Sequence, residues 1–308
     1  MTGERLFDFD VVGMGLNAVD HICVVPRFPR YEEKLRMTDF RKTPGGQVAS
    51  ALTACARWGL RAGYIGKVGG DDFGAFSLAS IRQEGIDTAN VEVVPGVMNQ
   101  FAFIIVDAST GERTIIWKRD EALAVRPEQV PLSAVRSGRF LLLDGHDSEA
   151  AAIAAREAAA SGVTVVIDAE TVKAGTQELV EASAYVVCSS EFPERFTGDG
   201  RRDEALRKIK AHGPACVVAT QGKNGAVGLT DGGLTRSRGF KVNCIDSTGA
   251  GDVFHGAFIY GLARGWDLEA ILDFSNAAAA LNCTAIGARG GIRPVDEIFD
   301  LMKRGERW

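Results

Sequence analysis

The sequence predicts an α/β protein: three layers, with a mostly parallel sheet between helices, and a small separate β-sheet beside it. Three observations carry this expectation. From Phe140 onward, short apolar runs alternate with helical stretches, which means crossover connections and a mostly parallel sheet. Two strand-like segments, about 20–42 and 91–119, mix apolar and polar residues too freely for core strands and stand off that pattern. The chain has 308 residues, 46% apolar and 24% charged, enough to bury one sizeable core as a single domain over residues 1–308.

In chain order, Asp10 to Gly15 reads as a buried first strand. His21–Val25 and Leu35–Phe40 read as the first off-sheet pair. Gln47 to Trp58 is Ala-rich and helical and stops at Gly59; Gly63–Gly69 is a strand, and Gly70 to Gly74 opens a helix that ends near Gly85. Val91–Val94 begins the second off-sheet patch, and Phe101–Val106 and Arg113–Trp117 flank a hairpin turn at Ser109–Glu112. Strands follow at Phe140–Leu143, Val163–Ile167, Tyr185–Cys188 and Ala215–Thr220. The intervening helices are about Ser148–Ala160, Thr176–Ala182, Glu191–Phe196 and Asp203–His212. Gly225–Thr230 and Leu234–Phe240 form a terminal meander, Gly239–Ile245 reads as the end of a strand, Val253–Leu262 and Leu268–Ala285 are helices, and Ile286–Gly291 is a Gly-rich loop.

Charge and composition exclude several function classes. A net charge of −5 with no basic stripe argues against nucleic acid. No 18-residue apolar run is present, so no membrane span is expected. Six cysteines are scattered without C-x-x-C spacing, and the first residues carry acids and no signal-like apolar run, which fits a cytoplasmic protein.

The chemistry concentrates in Asp246-Ser-Thr-Gly-Ala-Gly-Asp252, a Gly-rich turn between a strand and a helix. Gly249 and Gly251 permit a tight turn and close approach to a ligand, and Gly249, Ala250 and Gly251 offer N–H groups at a helix start, which is an anion site. A carboxylate there, Asp252, is suited to take a proton from an attacking hydroxyl. No Gly-Lys-Ser/Thr follows, so this is not a Walker A loop, and Gly13 and Gly15 lack the third glycine of a dinucleotide fingerprint. Asp20 lies just past the first strand, where open α/β sheets place ligand groups. Gly45-Gly46 precedes a helix and allows close contact with a ligand, and in both cases a plain turn is the alternative.

The Asp246–Asp252 string, continued by Gly256-Ala257, resembles the ATP-site signature of the ribokinase-like (PfkB) carbohydrate and nucleoside kinases. Gly45-Gly46 with its helix, Gly66-Lys-Val-Gly-Gly-Asp-Asp-Phe-Gly74, Thr220-Gln-Gly222 with Gly225, and Asn276-Ala-Ala-Ala-Ala280 resemble further family segments, so the likeness covers nearly the whole chain. It implies a large α/β domain whose off-sheet strands form a lid. It also implies ATP held near Thr220, Gly222, Gly225, Thr248 and Asn276, a sugar held by Asp20, Lys34, Gly45, Gly46, Gln47 and Ser50, and Asp252 as general base with Mg²⁺ neutralising the phosphates. A monovalent cation, K⁺, would be bound by carbonyls of Asp246, Thr248 and the Ile286–Gly291 loop, and a homodimer would form through the lids, whose edges and apolar side chains such as Phe101, Ile104 and Trp117 stand open.

The sequence departs from the family pattern in two places. Ser50 replaces an Asn expected to bind substrate hydroxyls, with Gln47 directly after the glycine pair. Cys188-Ser-Ser-Glu191 replaces an Asn-x-x-Glu motif that organises Mg²⁺, leaving Glu191 and Glu194 as candidates. The nearest subgroups are sulfofructose kinase and ketohexokinase, which favours a ketohexose-like substrate. Lys34 would suit an anionic tail, yet His146 stands where an Arg is expected and Trp117 where a lid residue is usually polar. The rivals are a nucleoside kinase, with Phe101, Phe103 and Trp117 gripping a base, and a non-catalytic sugar-binding regulator. The histidines lack metal-ligand spacing.

Overall fold

The computed structural model describes residues 7–308. The chain runs β1 (Phe9–Met14), β2 (Ala18–Val25), β3 (Asp39–Gly45), α1 (Gln47–Arg57), β4 (Ala62–Gly69), α2 (Asp72–Gln83), β5 (Asp87–Val94), β6 (Phe101–Asp107) and β7 (Arg113–Lys118). It continues through α3 (Leu132–Val135), β8 (Gly138–Leu143), α4 (Ser148–Ala160), β9 (Thr164–Ala169), α5 (Thr176–Glu181), β10 (Tyr185–Cys188), α6 (Phe192–Thr197), α7 (Arg202–Lys210) and β11 (Cys216–Thr220). The last elements are β12 (Ala226–Thr230), β13 (Gly233–Ser237), α8 (Ala250–Ala263), α9 (Leu268–Asn282) and α10 (Val295–Arg304).

Among the described residues, nine strands form one sheet in the order β13-β12-β11-β10-β9-β8-β1-β4-β5, parallel from β5 to β11 and antiparallel at β12 and β13. Its central strands carry unbroken apolar runs because both faces are covered. In β9, Val165 and Ile167 point into one core and Val166 into the other; in β10, Val186 and Cys188 oppose Val187 in the same way. Helices α4 to α7 cover the first face, and α1, α2, α8 and α9 the second. Truncating Ile167 to Ala would cost ~2–5 kcal/mol. Helix α1 stops as its sequence predicts: Gly59 (φ 86°) donates to Ala56 O at 3.0 Å and Leu60 to Cys55 O at 3.0 Å, closing the last turn.

The second sheet has the order β3-β2-β6-β7, with β2 and β6 parallel. Cross-strand register puts Asp20, Ile22, Ile104, Ile115 and Trp117 on one face and His21, Phe103 and Ile116 on the other. The first face packs Ile22, Ala102, Ile104 and Val106 against Ile286, which sets this sheet over the Gly-rich loop of the large domain.

Four sequence expectations need correction. Val91–Val94 belongs to β5, which pairs with β4 at the edge of the main sheet, so the second off-sheet segment begins only at Phe101. The partner of β2 is Asp39–Gly45, not Leu35–Phe40, because Ala18 pairs with Gly45 and Val24 with Asp39. Gly239–Ile245 forms no strand; its backbone meets Glu306 and Cys283 instead, apart from one bridge between Phe240 and Arg307. Ile104 is buried at 1% exposure, while Trp117 (59%) and Phe103 (45%) are open. Helix α10 was not anticipated; Phe299 packs it against Trp266 and Phe274. Among the described residues no helix is long and apolar enough to cross a membrane.

Candidate active site

The turn before α8 is held from both sides. The buried Asp246 carboxylate accepts from Thr248 N at 2.9 Å and from Gly287 N at 2.8 Å. Asn282 of α9 donates to Thr248 O and Ala288 O, both at 3.1 Å, and accepts from Gly291 N at 3.1 Å. These bonds zip the motif to the Ile286–Gly291 loop. Gly249 caps α8 at φ 73°, and a Cβ there would lie 2.3 Å from Ala288 O, so only glycine fits. Ala250 N is bonded to Ser247 O at 3.3 Å, which takes it out of the expected anion site. Among the described residues the amides of Gly249, Gly251 and Asp252 have no protein acceptor. They sit at the positive end of a 14-residue helix, and Gly251 opens onto free space.

Asp252 lies beside these amides, half-buried. Burial, then the negative charges of Asp168 and Glu170, push its carboxyl up to about 8, while His255 and Arg113 oppose the shift. Asp168 is buried at the end of β9, and its carboxyl is also held well above the usual range, by burial first and then by Glu170 and Asp144. It accepts from Gln47 Nε2 at 3.2 Å and faces His255 Nε2 at 3.4 Å. His255 Nδ1 lies 2.7 Å from Gly251 O and Nε2 3.2 Å from Val187 O, so the imidazole straps the first turn of α8 to the ends of β9 and β10.

The sugar side is built from Asp20, Gly45, Gly46 and Gln47. Asp20 is buried on β2 opposite Thr43, and a Cβ on Gly45 would come within 2.0 Å of its Oδ2. Burial raises its carboxyl to about 7, against the pull of Arg289. Gly46 (φ 90°) lies against Leu16 O, and Gln47 leaves Oε1 buried with no protein partner. Ser50 is not on the cleft. It is 0% exposed, and its Oγ accepts from Arg289 Nε at 3.2 Å. Arg289 also donates to Gly45 O at 2.7 Å and to Ser80 Oγ at 3.2 Å, so the buried guanidinium fixes the glycine turn from behind. Lys34 is exposed in the connection between β2 and β3, without a hydrogen bond or ion pair among the described residues.

On the opposite side, Thr220 ends β11 and donates to Cys188 O at 3.2 Å. Gly222 (φ 57°) and Gly225 (φ 94°) shape the next turn, and Gly225 approaches Ser237 O and Gly239 N. Asn276 donates to Ser237 O at 3.2 Å and Ser237 Oγ at 2.8 Å. Gly225 and Asn276 therefore converge on the Ser237–Gly239 backbone, while Thr220 is held to the end of β10. Glu191 and Glu194 do not join Asp252. Both are exposed at the start of α6, and Glu191 pairs with Arg195. The acids that bear on Asp252 are Asp168 and Glu170, which sequence reading passed over, as it did Arg289, Asn282 and Arg113. Position at the carboxyl end of a central parallel strand was the available signal for Asp168 and Glu170. Among the described residues no group of three or more His, Cys, Asp or Glu side chains is arranged to hold a metal.

A sequence profile described as pfkB family carbohydrate kinase matches residues 8–294. The chain is 27% identical over 321 residues to a 5-dehydro-2-deoxygluconokinase of Halalkalibacterium halodurans, covering 97% of this chain and 96% of that protein. It is 30% identical over 298 residues to a ribokinase of Staphylococcus aureus, covering 94% and 98%. Its fold superposes on the crystal structure of a ribokinase from Thermotoga maritima with a TM-score of 0.82 at 24% identity, covering 96% of this chain and 100% of the other.

Proposed function

This chain belongs to the pfkB family of carbohydrate kinases, and we propose that it moves the γ-phosphate of ATP to a hydroxyl of a ketohexose-like sugar, with Asp252 as general base. The observation that carries the reading is the placement of Asp252 beside the unpaired amides of Gly249 and Gly251, with its carboxyl raised to about 8. A carboxylate tuned near neutral pH is a better base than an ordinary one, and its own amide neighbours receive the phosphoryl charge.

The cleft's polar groups support an uncharged, hydroxyl-rich acceptor. Asp20 and the unpartnered Gln47 Oε1 are acceptors, and they match sugar hydroxyl donors. In this reading Asp20 and the Gly45-Gly46 backbone hold the sugar, and Asp252 takes the proton of the attacking hydroxyl. Thr220, Gly222, Gly225, Thr248 and Asn276 form the nucleotide side. When bound, Mg²⁺ would neutralise the phosphates; Asp168 and Glu170, whose charges bear on Asp252, would meet it rather than the exposed Glu191 and Glu194. A K⁺ site on the carbonyls of Asp246 and Thr248 fits the unpartnered, buried Thr248 Oγ1 beside them. The small sheet acts as a lid that excludes water. Its open apolar face, with Phe40, Phe103 and Ile116, supports a homodimer through the lids, and monomeric sedimentation at micromolar protein would count against it.

A nucleoside kinase is less well supported. Phe101 and Phe103 lie on the face of His21, away from Asp20, so of the three aromatics only Trp117 is left to grip a base. The test is ADP release with ATP·Mg²⁺ against a panel of ketohexoses, ribose, 5-dehydro-2-deoxygluconate, sulfo- and phosphosugars and nucleosides. One sugar should turn over and lose ~10²–10⁴ in kcat with Asp252→Asn. Turnover that survives this substitution removes Asp252 from the base role, and turnover of nucleosides alone overturns the sugar.

A further inference from the structure

Two cysteines meet beside the phosphate-side turn. Cys244 stands two residues before Asp246, and Cys283 caps the end of α9. Each side chain is the first influence on the other's thiol, which sets the two cysteines side by side. The backbones are joined as well: Ile245 N and Asp246 N donate to Cys283 O at 2.8 and 3.2 Å. Both residues are half-buried, whereas Cys55, Cys188 and Cys216 are fully inside the core. The lid tip lies directly on Cys244. A Cβ on Gly111 would be 2.8 Å from both Cys244 Sγ and Cys244 O, and Ser247 N and Oγ donate to Gly111 O at 3.3 and 3.1 Å.

We propose that Cys244 and Cys283 form a reversible disulfide that uncouples the lid tip and the Gly249 turn from their working positions. The oxidant is a peroxide. One thiol, as thiolate, attacks a peroxide oxygen; the O–O bond breaks, hydroxide leaves and takes up a proton as water, and a sulfenic acid remains. The second thiol attacks that sulfur, the S–O bond breaks, and the hydroxyl leaves with the second thiol's proton as another water. Two thiols lose two electrons and hydrogen peroxide gains them. A dithiol reductant reverses the change by exchange.

The consequence follows from geometry. A disulfide holds its sulfurs at ~2 Å, well inside the contact distance of two unbonded thiols. One side of the pair must therefore move. Cys283 is anchored by α9, next to Asn282, which pins Thr248 and Ala288. Cys244 is in an irregular segment, so the displacement falls on residues 244–247, where the lid tip docks and the Asp246 bonds begin.

The experiment uses the full-length protein and does not depend on the sugar, so a silent kinase panel leaves it intact. The reduced protein is treated with hydrogen peroxide, mapped by non-reducing peptide mass spectrometry, and titrated with the non-hydrolysable ATP analogue AMP-PNP and Mg²⁺. We expect a Cys244–Cys283 cross-linked peptide and a Kd raised about tenfold or more, both reversed by dithiothreitol and both absent in Cys283→Ser. Cys244→Ser serves as the second variant should the first fold poorly. A map without this cross-link at full peroxide, a cross-link with unchanged Kd, or a loss of binding that dithiothreitol does not recover each overturns the proposal.

Discussion

Arg113 of the lid donates from Nη1 to Ser247 Oγ at 2.8 Å, tying the start of β7 to the residue two before Gly249. The same guanidinium pulls down the carboxyls of both Asp20 and Asp252, so its charge bears on the sugar anchor and on the base together. Sequence alone places Arg113 as a hairpin residue on the far side of the chain. We expect Arg113→Gln to lower kcat/KM by ~10–100-fold, because it removes a charge-assisted link made when the lid is down. Arg113→Lys should fall between, since an ammonium keeps the charge and loses the fork. Steady-state kinetics with the turned-over sugar give the answer; an unchanged kcat/KM in Arg113→Gln would detach the lid contact from catalysis.

The pH profile should carry the signature of crowded carboxyls. Asp252 must be ionised to act, and its carboxyl titrates at about 8, so kcat/KM of the free enzyme should rise with pH until roughly that point. Asp20, at about 7, adds a second, lower inflection if the sugar needs it ionised. Asp168 is the largest charge that raises Asp252, after burial. Asp168→Asn should therefore move the acidic limb to lower pH by about one unit, while an amide keeps an acceptor for Gln47. A limb that stays in place in this variant would show that Asp168 does not set the pKa of the base.

The main sheet was legible because buried parallel strands leave unbroken apolar runs, as in Val186–Cys188 and Cys216–Ala219. The motif around Gly249 was legible because its glycines and acids are contiguous. What failed has physical causes. β5 is the open edge of the main sheet and mostly unburied, so its composition imitates a lid strand. β3 could not be placed because its register is fixed by pairing with β2 across a connection whose length the residues do not announce. Asp168 and Glu170 lie far along the chain from Asp252, and Arg289 far from Gly45, so they meet only through tertiary structure. Ser50 stands where the family resemblance implies a substrate contact, with a shorter side chain; here Arg289 turns it into an interior acceptor.

The two motif glycines should fail differently. Gly249 is at φ 73° with Ala288 O where a Cβ would go, so Gly249→Ala should destabilise the fold by ~2–3 kcal/mol. Gly251 has nothing within 4 Å of an added Cβ, so Gly251→Val should fold nearly normally while its side chain fills the space above the free amides. Denaturant melts and AMP-PNP titration separate the two. Gly251→Val should keep its midpoint and lose AMP-PNP affinity by about tenfold or more. A destabilised Gly251→Val with unchanged affinity would move the anion site elsewhere.

Asp252 should also weaken the fold it serves. Its carboxyl titrates at about 8 in the folded protein and near 4 in the unfolded chain. The folded state therefore binds the proton more tightly, and this group's contribution is fully present below about pH 4 and is lost as pH rises through about 8. Asp252→Asn has no charge to bury, so its stability relative to the parent should grow with pH. At pH 9 the gain should be ~1–3 kcal/mol, a rise in Tm of about 2–6 °C, and at pH 4 close to zero. Calorimetry of both proteins from pH 4 to 9 reads this directly. A difference in Tm that stays flat across the range would mean that Asp252 is solvated as an ordinary surface acid, and the argument that burial tunes it as a base would fall with it. A difference that grows as stated, in the variant that loses kcat, would show the fold giving up stability at the residue where a proton must be taken.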